Sequence, residues 1–300
     1  MGNMNIIVTG ATGFVGKEFI KSVQNKYNIY VLVRKASDTS VLKDINCKII
    51  VFNDYDEINN IFLDNTIKGI VHFASNIIVE HKSNDIKGLI DSNITFGTYL
   101  LEACIFANVE WFLNTGTFWQ NYNNEDYNPV NLYASSKEAF ENISKFYTET
   151  SNLIFTTIKL NDTFGPNDTR NKIFNLWINL LKSDKTLDMS AGEQTIDISY
   201  IYDIVNAYDT MIENFKQDNI SKYNNKTFVI SNKEKPTLKE LSKIFEDVTN
   251  SKLNINWGAR NYRDRETMKP YFIGINVPNW QQKFTLKEAI KNTIKDIKND

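Results

Sequence analysis

Residues 5–20 read Asn5-Ile-Ile-Val-Thr-Gly-Ala-Thr-Gly-Phe-Val-Gly-Lys-Glu-Phe-Ile20, and this stretch decides the architecture of the chain. A short apolar run (Ile6, Ile7, Val8) ends at Gly10, Gly13 and Gly16, and helix-type spacing follows. The pattern predicts a buried strand that turns sharply into a helix whose first backbone N–H groups face open space. Unpaired donors and the positive end of the helix dipole both favour anionic oxygens, so such a helix start binds a pyrophosphate. Gly10 would permit the tight turn, Gly13 a close approach of backbone to phosphate, and Gly16 close packing of helix on strand. A plain loop would also tolerate three glycines; the strand before and the helix after separate the two readings.

Strands and helices alternate downstream. Residues 30–33, 48–52, 69–74, 111–114 and 153–160 read as further strands, with helices over 91–106 and 134–148. Near-continuous apolar strands between helices describe a parallel sheet covered on both faces, a doubly wound α/β fold. Its ligands bind beyond the carboxyl ends of the strands, where the glycine turn lies. After Phe164-Gly-Pro166 helices are predicted over 174–181, 203–215, 237–248 and 285–297, and strands over 196–201 and 227–230. Thr237 with Glu240 and Thr285 with Glu288 have capping-box spacing. Residues 1–165 are expected to form a dinucleotide-binding domain, with segments near 196–232 returning to it. Residues 166–195 and 233–300 are expected to form a smaller C-terminal lobe that binds substrate.

Composition narrows the function. The 300 residues are 42% hydrophobic and 23% charged with a net charge of −2, ordinary for a soluble globular chain. With no basic block, neither nucleic acid nor a membrane surface is an expected partner. Cys47 and Cys104 sit in apolar patterns and read as reduced core thiols. No His/Cys cluster has metal-ligand spacing, so no metal site is expected. The chain enters its first strand without a charged leader, and no apolar run approaches the length of a membrane span, so a cytoplasmic location is expected.

Tyr133 and Lys137 stand in Asn131-Leu-Tyr-Ala-Ser-Ser-Lys137, four apart at a helix start and hence on one face. An ordinary phenol near pKa 10 gives up its proton reluctantly, and an adjacent ammonium stabilises the phenolate. Lowering the pKa to about 7 takes on the order of 4 kcal/mol of differential interaction, which a cation in a desolvated cleft can supply. Tyrosine then becomes a proton donor or acceptor suited to neutral pH. A surface tyrosine beside a solvated lysine would show the same spacing. At the end of the fifth strand, Leu113-Asn-Thr-Gly-Thr-Phe-Trp119 offers hydroxyls that either contact the reacting oxygen or serve a turn.

Together these segments resemble the extended short-chain dehydrogenase/reductase (NAD-dependent epimerase/dehydratase) family, in its nucleotide-sugar branch, over nearly the whole chain. The resemblance rests on Thr9–Gly16, His72-Phe-Ala-Ser75, Asn93-Ile-Thr-Phe-Gly-Thr98, the Tyr133/Lys137 pair, Phe164-Gly-Pro166 and Gly192-Glu-Gln-Thr-Ile-Asp197. It implies a Rossmann domain and hydride transfer between a nicotinamide and a sugar carbon. Thr115, four residues before the aromatic Trp119, would be the catalytic hydroxyl beside Tyr133 and Lys137, with Thr117 the second candidate. The cofactor would lie along Gly10, Thr12, Gly13, Phe14, Val15 and Gly16, pass Phe73, Ala74 and Ser75, and end at Tyr133 and Lys137. Asp54 and Tyr55 match where relatives contact adenine. The substrate, a nucleotide-diphosphate sugar, would meet Ser75, Thr115, Thr117, Tyr133, Asp162, Lys172 and Arg263. Relatives commonly dimerise through the helices flanking Thr98 and Phe140, so a homodimer is implied.

The end of the second strand bears on cofactor choice. An acidic residue there would bind a free ribose 2′-hydroxyl, but the chain has Val33-Arg-Lys-Ala-Ser37. Arg34 can pair with a 2′-phosphate and Lys35 adds charge, so NADP(H) is expected, with NAD(H) the alternative. Relatives that eliminate water carry Asp-Glu directly after the catalytic threonine, where Gly116 and Thr117 stand here. The chain looks similar to the CDP-dideoxyhexose 4-ketoreductases such as the abequose and paratose synthases. An NADPH-dependent reductase of a 4-keto-deoxysugar for surface polysaccharide synthesis is therefore expected. A sugar epimerase or dehydrogenase, and a silent dinucleotide-binding sensor, are the alternatives. Ile196 occupies a position where many relatives use arginine, and Asp162 replaces an asparagine. Phosphate anchoring would then shift to Lys172, Arg260, Arg263 or Arg265.

Overall fold

The apolar run forms the strand that its pattern dictates. Ile6, Ile7 and Val8 have no exposed surface. Ile6 and Val8 enter one layer of the core and Ile7 the other, as period-two alternation requires in a strand covered on both faces. The computed structural model describes residues 2–271 and 273–295. In chain order the first elements are β1 (Asn5–Thr9), α1 (Phe14–Val23), β2 (Asn28–Arg34), β3 (Lys48–Phe52), α2 (Ile58–Asp64), β4 (Gly69–His72), α3 (Ile86–Ile90) and α4 (Phe96–Phe106). Next come β5 (Trp111–Thr117), α5 (Leu132–Thr150), β6 (Ile154–Leu160), β7 (Asp162–Phe164), α6 (Ile173–Leu181), β8 (Leu187–Met189) and β9 (Ile198–Tyr200). The last are α7 (Ile201–Gln217), β10 (Lys226–Ile230), α8 (Leu238–Thr249), β11 (Ile255–Trp257), β12 (Ile275–Asn276) and α9 (Leu286–Ile294).

Eight strands make one sheet in the order β12-β10-β6-β5-β4-β1-β2-β3, and its pairings are parallel. This is a doubly wound Rossmann architecture, and the order of strand addition reverses between β1 and β4, where a crevice opens at the carboxyl ends. One core layer packs α1 and α7 against the sheet; the other packs α2, α4 and α5. Outside the sheet, β7 pairs with β9 and β8 with β11. There Phe164, Phe174, Trp177 and Phe245 build an aromatic cluster. Both capping boxes form, Thr237 with Glu240 and Thr285 with Glu288, each cap contributing about 1 kcal/mol.

Several boundaries differ from the sequence expectation. The strand over 69–74 ends at His72, and Phe73, Ala74 and Ser75 line the crevice. The fifth strand runs on to Thr117, because β6 continues to pair with it through Leu160. The helix over 91–106 opens with a π-helical turn, Asp91–Thr95, a device common at functional sites. Residues 196–201 yield only the short β9, paired with β7 instead of the main sheet, since α7 starts at Ile201. Within the expected smaller lobe, Ile275–Asn276 pairs with β10 at the sheet edge. The expected end of the last helix at Ile297 lies outside the described residues. No helix among the described residues is long and apolar enough to cross a membrane.

Candidate active site

The β1–α1 turn makes one end of a groove. Gly10 has φ +67°, and a Cβ there would meet the backbone of Phe73 and Ala74 at 2.5–2.8 Å. At Gly16 a Cβ would lie 2.3 Å from the Gly10 carbonyl oxygen, so both positions require glycine. No side chain among the described residues caps α1, and its first turn holds no acid. Its leading N–H groups thus face the groove with the positive dipole end behind them. The groove is lined by Gly10 to Gly13, by Arg34 and Ser37 at the end of β2, by Tyr55, and by Phe73 to Ser75. Phe52, Phe96 and Tyr55 stack in series along one wall, and Tyr99 stacks on Tyr55 beyond it. Lys35 and Asp54 border an adjoining hollow with Arg34 and Tyr55. The Asp54 carboxylate accepts the Asp56 N–H and so caps the turn that carries Tyr55.

A cavity of roughly 390 Å³ continues from the groove past Phe73 and Ser75. Thr115, Gly116, Thr117, Trp119, Tyr133 and Lys137 line it. Asn131 caps α5 by accepting the Ala134 N–H at 3.0 Å, which places Tyr133 in the first helical turn and Lys137 one turn on. Both are buried, at 7% and 1% exposure. Asn93, in the π-helical turn, holds the neighbouring loop: it accepts from Ser75 Oγ and Asn76 N, and donates to Ser136 on α5 at 2.9 Å. Its role is a polar one rather than apolar packing.

Burial governs the titration of the pair. It pushes the Tyr133 phenol up to about 12, against hydrogen bonds from Ser75 and Thr117 that favour the phenolate. It pushes the Lys137 ammonium down to about 8, against the opposing charge of Glu141. The expected lowering of the tyrosine pKa is therefore not produced by the protein's own groups, because desolvation of the charged form outweighs them. Tyr133 stands as a protonated phenol at neutral pH. Behind the cavity a polar network ties the site together. Gln120 donates to Glu138 at 2.6 Å and to Glu141 at 3.0 Å, and buried Lys159 donates to Asn121 at 2.7 Å. His72 is wholly buried, with Nδ1 2.8 Å from Thr9 Oγ1 and the ring among Phe96, Phe112 and Phe140. Burial and Lys137 hold its pKa well below the usual range, so it is a neutral core residue.

The two threonines have different neighbours. Thr117 faces Tyr133, whereas the Thr115 hydroxyl lies 2.7 Å from the Tyr208 phenol oxygen. Asp162 and Lys172 both line the cavity and pair with each other at 2.9 Å, so the anion that would repel phosphates is already partnered. Arg263 does not join them: it is exposed and pairs with Glu266 at 3.3 Å. Arg260 likewise lies outside the cavity lining, and Arg265 stacks on Tyr122. Sequence reasoning missed Arg170, which lines the cavity, forks onto Asp168 at 2.8 Å and lies 4.4 Å above the Phe14 ring. Its signal was present as a cation two residues before Lys172. Ser37 was also missed; it enters the groove through a turn closed by its N–H on the Arg34 carbonyl.

Residues 6–229 match the model of the NAD dependent epimerase/dehydratase family. The chain belongs to this family. As a member it is an enzyme of the NAD(P)-dependent oxidoreductase type. It is 26% identical to the CDP-abequose synthase of Yersinia pseudotuberculosis, over 97% of this chain and 100% of that relative. The UDP-glucose 4-epimerase of Thermotoga maritima, solved with UDP-glucose, superposes with a TM-score of 0.84 at 20% identity, covering 99% of each chain. A UDP-glucuronic acid 4-epimerase from Bacillus cereus, solved with UDP-glucuronic acid and NAD, gives 0.84 at 18% identity with the same coverage. These structural likenesses establish the fold.

Proposed function

We propose that this family member uses NADPH to reduce a 4-keto-deoxyhexose carried on a nucleoside diphosphate, giving the 4-hydroxy sugar for surface polysaccharide synthesis. The observation that carries the reading is a single cavity in which a protonated Tyr133 meets Thr115, Thr117, Ser75 and Lys137 at the end of the groove. The groove suits a dinucleotide on its own geometry: glycines that admit no Cβ and helix N–H groups without a side-chain cap. Gly10, Thr12, Gly13, Phe14, Val15 and Gly16 would hold its pyrophosphate, and Asp54, Tyr55, Phe73, Ala74 and Ser75 its adenine and ribose ends. Arg34, supported by Lys35, would pair with a 2′-phosphate. When bound, the dinucleotide supplies the hydride.

The chain's own residues do the rest. Tyr133 gives its proton to the carbonyl oxygen as that oxygen becomes an alkoxide. Thr115 hydrogen-bonds the same oxygen and shares its developing charge. Lys137, in the next turn, stabilises the phenolate that remains. Phe73, Ile77, Val79, Trp119 and Leu160 give the cavity apolar walls, which suit a sugar lacking hydroxyls. Lys172 and Arg170 are the nearby cations for its diphosphate. A dehydratase is disfavoured further, because a side chain at Gly116 would meet Thr157, Lys159 and Glu141 at 2.8–3.0 Å. The CDP-abequose synthase relative supports the choice of substrate class. A homodimer is proposed as well, since α4 and α5 expose Tyr99, Phe106 and Phe146.

The test is to mix the purified enzyme with NADPH and a nucleotide-linked 4-keto-6-deoxyhexose. One NADPH consumed per sugar supports the reading; interconversion of sugar epimers with no net NADPH loss replaces it with an epimerase.

A further inference from the structure

Thr115 has a neighbour that proton transfer from Tyr133 leaves unexplained. Its hydroxyl lies 2.7 Å from the phenol oxygen of Tyr208, 93 residues on in α7. Tyr208 has no exposed surface. Its ring packs 4.7 Å from Phe73 and 6.3 Å from Phe19, and Phe73 lines both the groove and the cavity. Tyr208 thus stands directly behind the wall that joins the two. Burial raises its phenol far above the ordinary value, so it carries its proton throughout the working pH range.

The direction of this hydrogen bond follows from the groups. A buried hydroxyl must use its hydrogen, and a phenol is a more acidic donor than an aliphatic alcohol. Tyr208 therefore donates, Thr115 Oγ1 accepts, and the Thr115 hydrogen is left to point into the cavity. Without that anchor the threonine hydroxyl could rotate and present a lone pair to the substrate. In series, the two bonds also polarise one another. We infer that Tyr208 is a positioning residue that sets Thr115 as a hydrogen-bond donor to the substrate's carbonyl oxygen. The two threonines then divide the work, Thr117 beside the proton donor and Thr115 on the reacting oxygen. This rests on the proposed ketosugar reduction.

The test is a double-mutant cycle with Tyr208→Phe and Thr115→Val, measured on the same NADPH and keto-sugar assay. Tyr208→Phe removes one oxygen and keeps the ring packed on Phe73 and Phe19. It should lower kcat by about tenfold, one buried hydrogen bond's worth, with the substrate KM and the NADPH Kd within about twofold of the parent. In the Thr115→Val background the same change should cost less than about twofold. In Thr115→Ser, which keeps the hydroxyl, it should again cost about tenfold. Equal losses in the Val and parent backgrounds, or no loss in the parent, would overturn the positioning role while the reductase reading stands. A parent enzyme that consumes no NADPH would overturn that reading and this inference with it.

Discussion

Tyr133 and Lys137 are displaced in opposite directions by one cause, since burial disfavours the phenolate and the ammonium alike. The phenol's proton is thereby secured, and the lysine becomes the group that titrates. An ammonium is present below its pKa, so reduction is expected to slow as pH rises through about 8, with Tyr133 protonated across that window. Glu141 supports the ammonium, so Glu141→Gln should move this alkaline limb to lower pH. A limb that stays in place or moves up contradicts the assignment. Tyr133→Phe should cut kcat by about 10²-fold or more and leave NADPH affinity nearly intact by fluorescence titration; surviving activity means another acid. Arg34→Asp should weaken NADPH far more than NADH, and equal losses would refute a 2′-phosphate contact. Among single residues, the placement of Tyr133 and Lys137 in the cavity and of Arg34 in the groove was legible from motif and position. Tyr208 was not, since its partner Thr115 is fixed by tertiary packing between distant segments, and Arg170 reaches the cavity through a contact with distant Phe14.

The β1–α1 turn is the element on which the groove depends. Gly16→Ala would drive a Cβ against the Gly10 carbonyl oxygen, 2.3 Å away. Because the obstacle is backbone, α1 must shift. We expect a loss of about 1–3 kcal/mol in stability by denaturant titration, together with weaker NADPH binding. Unchanged values for both would show that the turn has slack the geometry denies. This element was readable in sequence because strand period, glycine spacing and helix period all point to one structure. The end of β5 was harder. Thr115, Gly116 and Thr117 look like turn chemistry, yet they are held in the sheet by Ile158, Lys159 and Leu160 of β6, a long-range pairing that local propensity cannot register. The same holds for β9, where the onset of α7 shortens the strand.

For the molecule as a whole, the doubly wound sheet was legible from the alternation of apolar strands and helices, and its β1/β4 reversal accounts for where groove and cavity meet. The second half was less so, because β7, β8, β9 and β11 pair outside the main sheet and a loop arginine answers to a tertiary contact, Arg265 with Tyr122. The exposed aromatics bear on assembly: Phe146, on α5, is 65% exposed. Phe146→Lys should convert the proposed dimer to a monomer in sedimentation equilibrium, and an unchanged mass would move the interface elsewhere. The reduction itself is tested most directly with NADPH deuterated at its transferable position and a nucleotide-linked 4-keto sugar. Mass spectrometry of the product should find one deuterium on the former carbonyl carbon and an equal amount of oxidised cofactor released. A product free of label, with the cofactor returned still deuterated, would contradict the account.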